Sequence, residues 1–357
     1  MSLLWVPGGW VGAKYQVVDH VGTGGMAEVW RGVMRGTAGF VRPVAIKRIL
    51  PQLLAVPEFV GMFVEEASIL SQLIHANIVQ VFDFERDAEG GYFLVMEWVE
   101  GLDLQAYLKT YARQRQRTPW PLIAAVAIET LRGLAAAHEH VDGLGRRAAV
   151  IHRDVTPQNI ILGTSGCAKL TDFGLARATD RARRTSPGIV KGKLAYLAPE
   201  TTRDQPPSPQ SDIFSLGVVL WEALAGRPLY AGGTDVQIFD LARNADIPPL
   251  AEIRGDLPAE LLHAIGRALE RAPEDRFPSA RDFLRHLTGV LRRTDQPADS
   301  YALSHSVIEA RCILGQPPPG ILRRRPPPPP DGERAKAAAT AEVLSEEDLL
   351  DLLPGDH

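Results

Sequence analysis

Val150-Ile-His-Arg-Asp154-Val-Thr156-Pro-Gln-Asn159, followed shortly by Asp172-Phe173-Gly174, is the stretch on which the reading of this chain turns. An aspartate, an asparagine and a second aspartate at these separations are the carboxylate and amide set that handles a nucleotide phosphate, its metal ions and an attacking hydroxyl. Either tripeptide alone is common. Their order, with Asn159 in register, is not.

Further parts of such a site lie upstream, in Val21-Gly22-Thr-Gly24-Gly25-Met-Ala27-Glu-Val29 and in Val44-Ala45-Ile-Lys47. A glycine run of this kind is weak evidence alone, since it also fits a dinucleotide-binding turn or a plain hairpin. A dinucleotide turn opens a helix, whereas Glu28-Val-Trp-Arg-Gly32 continues in extended alternation. A strand–turn–strand lid fits better, because glycines let backbone amides approach phosphate oxygens closely. Lys47 follows an apolar run and so projects from a strand.

Taken together, these stretches resemble a bacterial eukaryotic-type (Hanks-type) serine/threonine protein kinase, over residues 15 to about 291. The resemblance extends to Ala198-Pro-Glu200, to Ser211-Asp212-Ile-Phe-Ser-Leu-Gly217 and to Arg276 in Pro273-Glu-Asp-Arg-Phe277. It implies an α+β fold of two lobes: a small antiparallel β lobe with one regulatory helix, a hinge, and a larger, mainly helical lobe. It implies ATP and Mg²⁺ as cofactors, with Mn²⁺ the alternative ion. Asp154 is then the base that accepts the substrate hydroxyl proton, and Asn159 and Asp172 hold the metal ions. Gly22, Gly24 and Gly25 shield the phosphates, and Val21, Val29, Ala45 and Lys47 line the nucleotide. Glu66 pairs with Lys47, Met96 gates the adenine pocket, and the backbones of Glu97 and Val99 hydrogen-bond the base. Asp103 is either a ribose contact or the cap of a helix opening near Leu104. Glu200 pairs with Arg276, and Asp212 opens a buried helix.

Composition agrees. The 357 residues suit one large domain with extra sequence, and the net charge of −4 points to neither nucleic acid nor membrane. Two cysteines, Cys167 and Cys312, imply no disulfide framework and suit a reducing compartment. The start lacks a signal-peptide pattern, and the apolar stretches at 122–137 and 213–226 carry charges. The expectation is a cytoplasmic protein with an intracellular input, protein substrates and a transient dimer for phosphorylation in trans.

Periodicity places β-rich runs at 15–21, 27–33, 41–49, 79–85 and 91–96. They surround a helical stripe at 57–73 built from Phe59, Met62, Phe63, Ala67, Leu70 and Leu73. Glu65, beside Glu66, reads as a solvated acid. Helical segments follow at 121–139, 212–225, 235–242, 259–269, 279–291 and 300–314. The expected domains are an N-terminal extension (1–14), a kinase domain (15–293, with lobes 15–96 and 97–293), a helical extension (294–316), a proline-rich linker (317–340) and an acidic leucine-rich tail (341–357).

Arg153 beside the base suggests control by a phosphate on the segment 175–197, with Thr179, Thr185 and Ser186 as acceptors. Three features depart from the family. Thr156 stands where a lysine contacting the γ-phosphate is usual. Lys193, in Gly192-Lys-Leu-Ala-Tyr196, stands where threonine is usual. The chain thus reads as having exchanged lysine and threonine across one contact, so Lys193 is expected to supply the ammonium with Thr156 as its hydroxyl partner. The third departure is a longer loop at 141–149, read as a surface hairpin. In the tail, Ser345-Glu-Glu-Asp348 resembles a capping box before Leu349-Leu-Asp-Leu-Leu353. A docking peptide, an autoinhibitory segment and a solubilising tail all fit it.

Overall fold

Alternation in Val44-Ala45-Ile46-Lys47 becomes the two faces of a central strand. In the computed structural model, which describes residues 5–173, 193–203, 205–230 and 233–316, this strand belongs to a six-stranded antiparallel sheet. The strands are β1 (Trp10–Val11), β2 (Tyr15–Thr23), β3 (Ala27–Arg35), β4 (Val41–Ile49), β5 (Val81–Arg86) and β6 (Tyr92–Glu97), in the order β1-β2-β3-β4-β6-β5. Val44 and Ile46 point into a cluster with Trp5, Val11, Tyr15, Val17, Trp30, Phe93 and Val95. Ala45 and Lys47 point the other way, as the two-residue period of a strand requires. The helix α1 (Pro57–Gln72) starts with proline in its first turn and buries Val60, Phe63, Val64, Ala67 and Leu70. Phe63 packs on Phe84 of β5, ring centroids 6.0 Å apart.

The sheet starts before Tyr15. Trp5 is buried among Trp30 and Phe93, and its indole N–H donates to Asp87 Oδ2 at 2.9 Å. Residues 5–14, expected as an extension, therefore belong to the β unit, which comprises 5–74 and Val79–Trp98.

A second unit holds His75–Ile78 and the described residues of 99–316. A three-stranded sheet runs β7 (Gly101–Asp103), β8 (Ile160–Gly163), β9 (Ala168–Leu170). The helices are α2 (Leu104–Gln114), α3 (Trp120–His138), α4 (Pro209–Ala225), α5 (Asp235–Asn244), α6 (Leu250–Ile253), α7 (Ala259–Ala268), α8 (Ala280–Leu291) and α9 (Ser300–Ile313). Among the described residues α3 alone is long and apolar enough to cross a membrane. It packs on α4 and α8 and buries Ile123, Ala127, Leu131 and Leu134, so it is the core helix of this unit. Its Glu129 accepts from the Ala168 N–H at 2.7 Å and from Asn77 Nδ2 at 3.1 Å, which satisfies the one acid on that face.

The loop at 141–149 is a hairpin, with Val141 bridged to Arg147 and Asp142 accepting from the Leu144 and Arg146 N–H groups. The tail after 316 and the segment 174–192, with Gly174, Thr179, Thr185 and Ser186, lie outside the described residues.

Candidate active site

The β unit carries the first group of expected residues. Cross-strand register pairs Val29 with Lys47, Lys47 with Leu94 and Ala45 with Met96. Directly opposed residues share a face of a sheet. Val29, Ala45, Lys47 and Met96 are therefore gathered on one face, opposite the Trp5–Ile46 cluster. Lys47 Nζ donates to Glu66 Oε1 and Oε2 of α1 at 2.8 and 3.0 Å, and both side chains are buried. Glu66, not Glu65, is the partner the sequence pointed to; Glu65 is half-buried rather than solvated. Glu97 N–H donates to Gln80 O at 2.8 Å.

Glycines 22 and 24 have no internal reason to be glycine. Neither has a left-handed φ; a Cβ on Gly22 would meet nothing within 4 Å, and one on Gly24 only the Ala27 carbonyl at 3.5 Å. What a side chain would obstruct there is approach from outside, as a phosphate cradle requires. Gly24 N–H donates to Ala27 O at 2.8 Å, closing the turn between β2 and β3. Val21 is exposed at this turn.

The helical unit carries the second group. Register in the β8–β9 hairpin opposes Ile160 with Leu170, and Thr171 N–H donates to Asn159 O at 3.0 Å. The hairpin thus brings Asn159 beside the segment that ends in Asp172. Asn159 Nδ2 donates to Asp154 O and Asp154 Oδ2, both at 2.8 Å. Committing the amide nitrogen this way leaves the Asn159 carbonyl oxygen as a hard donor. Asn159 and Asp172 suit Mg²⁺, which prefers oxygen ligands and keeps much of its shell from phosphates and water. Arg153 and Asp172 both hold left-handed backbone, φ 66° and 60°. Such strain persists where surrounding bonds enforce it.

Asp212 supplies that enforcement at Arg153. From the first turn of α4 it accepts from the His152 N–H, the Arg153 N–H and His138 Nε2, each at 2.8 Å. Burial works to raise its pKa, but the bond and charge of His138, with His152, hold it below the usual carboxylate value. His152 is fully buried against Phe173 and faces the Thr171 carbonyl. Burial holds its pKa below that of a free imidazole. Neither His138 nor the anchoring role of His152 was assigned from sequence; only the acid in the first turn of α4 hinted at a bonded partner.

Lys193 Nζ lies 2.5 Å from Asp154 Oδ2. Its backbone caps the turn Leu194–Tyr196, which is pinned to α4 by Ser215 Oγ donating to Tyr196 O (2.7 Å) and Tyr196 OH donating to Glu222 (2.6 Å). The expected Thr156 contact is not formed: its Oγ1 is buried and makes no hydrogen bond among the described residues. Lys193 therefore reaches the carboxylate itself rather than the threonine hydroxyl.

Asp103 caps α2, accepting from Ala106 N–H at 2.7 Å; burial raises its pKa. Arg276 Nη1 and Nη2 bind Glu200 Oε1 and Oε2, both at 2.8 Å. The remaining guanidinium donors reach the Glu270, Arg271 and Gln210 carbonyls.

The family model for the protein kinase domain matches residues 15–287. The chain belongs to the protein kinase family. Among its relatives in that family, the tyrosine-protein kinase MasK of Myxococcus xanthus is 39% identical over 269 residues, covering 75% of this chain and 42% of MasK. The serine/threonine-protein kinase PknL of Mycobacterium tuberculosis is 35% identical over 270 residues, covering 75% of this chain and 63% of PknL. The chain thus spans less than two thirds of the length of these kinases. The crystal structure of the Mycobacterium tuberculosis PknI kinase domain superposes with a TM-score of 0.60 at 27% identity, over 81% of this chain and 99% of that domain. The two-lobed α+β kinase fold read from the motifs is the fold found.

Proposed function

We propose that this chain transfers the γ-phosphoryl group of ATP to serine or threonine hydroxyls of protein substrates. The observation that carries the reading is the Asp154 carboxylate, whose Oδ2 is held by Asn159 Nδ2 and Lys193 Nζ. One oxygen is thereby fixed, and Oδ1 is left to orient the substrate hydroxyl and accept its proton. Lys47, held by Glu66, neutralises nucleotide phosphate charge. Asn159 and Asp172 would hold Mg²⁺ (or Mn²⁺), which neutralises charge building on the phosphoryl oxygens. Lys193, pinned beside the base, serves as a second cation for the transferring group. Phosphoryl transfer needs little covalent chemistry from the protein, so positioning and electrostatics suffice. Val21, Gly22, Gly24, Gly25, Val29, Ala45, Met96, Glu97, Val99 and Asp103 take the nucleotide in this reading.

Arg153 is the proposed dock for a phosphate on Thr179, Thr185 or Ser186, in a cytoplasmic signalling protein. Protein substrates, a transient dimer and docking through the tail belong to the same proposal. A tyrosine acceptor is a second reading, favoured by one observation: the relative at 39% identity is named a tyrosine-protein kinase. A nucleotide-binding scaffold without catalysis is disfavoured by the complete set Lys47, Asp154, Asn159 and Asp172.

Incubation with γ-labelled ATP and Mg²⁺, followed by phosphosite mapping, tests the reading. Label in wild type that vanishes in Asp154→Ala supports it, and the mapped hydroxyls separate serine and threonine from tyrosine. Nucleotide binding without label, in the presence of candidate partners, would favour the scaffold.

A further inference from the structure

Helix α9 (Ser300–Ile313) lies beyond the residues matched by the family. Its inner face is apolar at Leu303, Val307 and Ala310, and then carries Arg311, which is only 5% exposed. Arg311 Nη1 donates to the Gly101 carbonyl at 3.0 Å, and Nη2 pairs with Glu100 Oε1 at 2.5 Å. Other polar ties run from the same helix. Ser306 Oγ is shared by Tyr107 OH (2.7 Å) and Tyr111 OH (3.1 Å) of α2, and Ser304 Oγ donates to Thr164 O at 2.6 Å. Thr164 N–H in turn donates to Glu100 O at 2.8 Å. Gly166, at φ +78°, lets Ser300 come so near that a Cβ would stand 1.7 Å from its carbonyl oxygen.

Glu100 is therefore held at both its side chain and its carbonyl, and Gly101 at its carbonyl. These two residues stand between Val99 and Asp103. A leucine or methionine would fill the space under α9 at no desolvation cost, whereas a buried guanidinium is costly unless its geometry is used. A planar fork of donors is suited to fixing a carbonyl and a carboxylate at once. We infer that Arg311 is a positioning residue for the nucleotide: it locks the backbone of Glu100 and Gly101, and so the placement of Val99 and Asp103 for the base and ribose. This rests on the nucleotide-binding reading above. The phosphate-handling residues are untouched by it, so the effect falls on nucleotide affinity and not on the transfer step.

The test uses the full chain with Arg311→Met, which keeps the apolar packing, and Arg311→Lys, which restores a donor. Binding of a fluorescent ATP analogue, KM for ATP, kcat and Tm are measured. Losing charge-assisted bonds to the segment should weaken analogue binding and raise KM for ATP roughly 5- to 20-fold in Arg311→Met. The value of kcat at saturating ATP should stay within about twofold, since only uniform binding is lost. Arg311→Lys should recover part of the affinity. Wild-type analogue binding in Arg311→Met overturns the inference, as does a parallel fall of kcat, affinity and Tm that lysine does not relieve. Wild type that neither binds the analogue nor transfers label overturns the kinase reading itself. Should Arg311→Met fail to fold, Glu100→Gln removes one arm of the clamp: a smaller shift in the same direction supports the inference, and unchanged affinity overturns it.

Discussion

Lys193 Nζ lies 2.5 Å from Asp154 Oδ2, and Asn159 Nδ2 reaches the same oxygen at 2.8 Å. A cation delivered from the turn before Ala198-Pro-Glu200 thus sits on the proposed base. Lysine normally found two residues after the base is replaced by Thr156, whose hydroxyl is buried without a hydrogen bond among the described residues. The Lys193 ammonium meets the Asp154 carboxylate and not the Thr156 hydroxyl.

If that ammonium stabilises the transferring phosphoryl group, Lys193→Met should lower kcat about 10- to 100-fold. Removing one preorganised donor from a water-excluded site costs ~10²–10³, but Lys193 is 45% exposed, so screening reduces its share. Lys193→Arg should retain more activity. Thr156→Val, close in shape, should leave Tm equal or higher, because it removes a buried hydroxyl that gains nothing. Steady-state kinetics and thermal melts decide it; unchanged turnover in Lys193→Met sinks the assignment.

The Lys47–Glu66 pair makes a different prediction, since both partners are buried. Glu66→Ala removes both carboxylate oxygens from the buried pair and should cost about 3–5 kcal/mol. Lys47→Met with Glu66→Leu should be clearly more stable than Glu66→Ala while remaining inactive. Denaturant unfolding of the three variants is the check. A double variant no more stable than the single one would show that packing, not charge, holds α1 on the sheet.

Motifs made the Lys47–Glu66 and Glu200–Arg276 partnerships legible, because each rests on residue types whose spacing carries chemistry, whereas the Asn159–Asp154 bond came from the structure. The runs placed by periods of two and 3.6 match observed strands and helices with ends displaced by up to three residues, while β1 and β7 to β9 were not read from the sequence. What stayed hidden has no period and no motif. Trp5 meets Asp87 across 82 positions, His138 meets Asp212 across 74, and Arg311 meets Gly101 across 210. Such pairs are selected by the packed fold, and nothing local in the chain announces them. The expected Thr156–Lys193 contact is replaced by Lys193–Asp154, because an ammonium gains more from a carboxylate than from a neutral hydroxyl.

Glu200 gives stability a defined acid limit. Burial pushes its pKa up, but the paired bonds and charge of Arg276 overturn this and hold it below the ordinary glutamate value of 4.5. A carboxyl depressed in the folded state binds more protons when unfolded, so its contribution is complete above about pH 4.5 and fades as pH falls through the folded pKa. Glu200→Gln should melt lower than wild type at pH 7, yet lose less stability between pH 5 and about pH 3. Melting curves that run parallel for the two proteins across this window would remove Glu200 from the acid response.

The family match begins at residue 15, but the sheet's core does not. Trp5 packs against Trp30 and Phe93 at 6.2 and 6.0 Å, lies under the Arg48 guanidinium at 4.6 Å, and donates to Asp87. Val11 of β1 is equally buried and pairs with Tyr15. Replacing a buried Trp with alanine costs about 3–5 kcal/mol, the apolar loss and the cavity together. Trp5→Ala should therefore lower the Tm of the β unit by several degrees. A chain beginning at Tyr15 should fare worse, since it also uncovers Trp30, Ile46 and Phe93 of the same cluster. Thermal melts followed by tryptophan fluorescence report on the site directly. Equal melting of the shortened chain and the whole protein would mean that residues 5–14 only cover a core that is already complete.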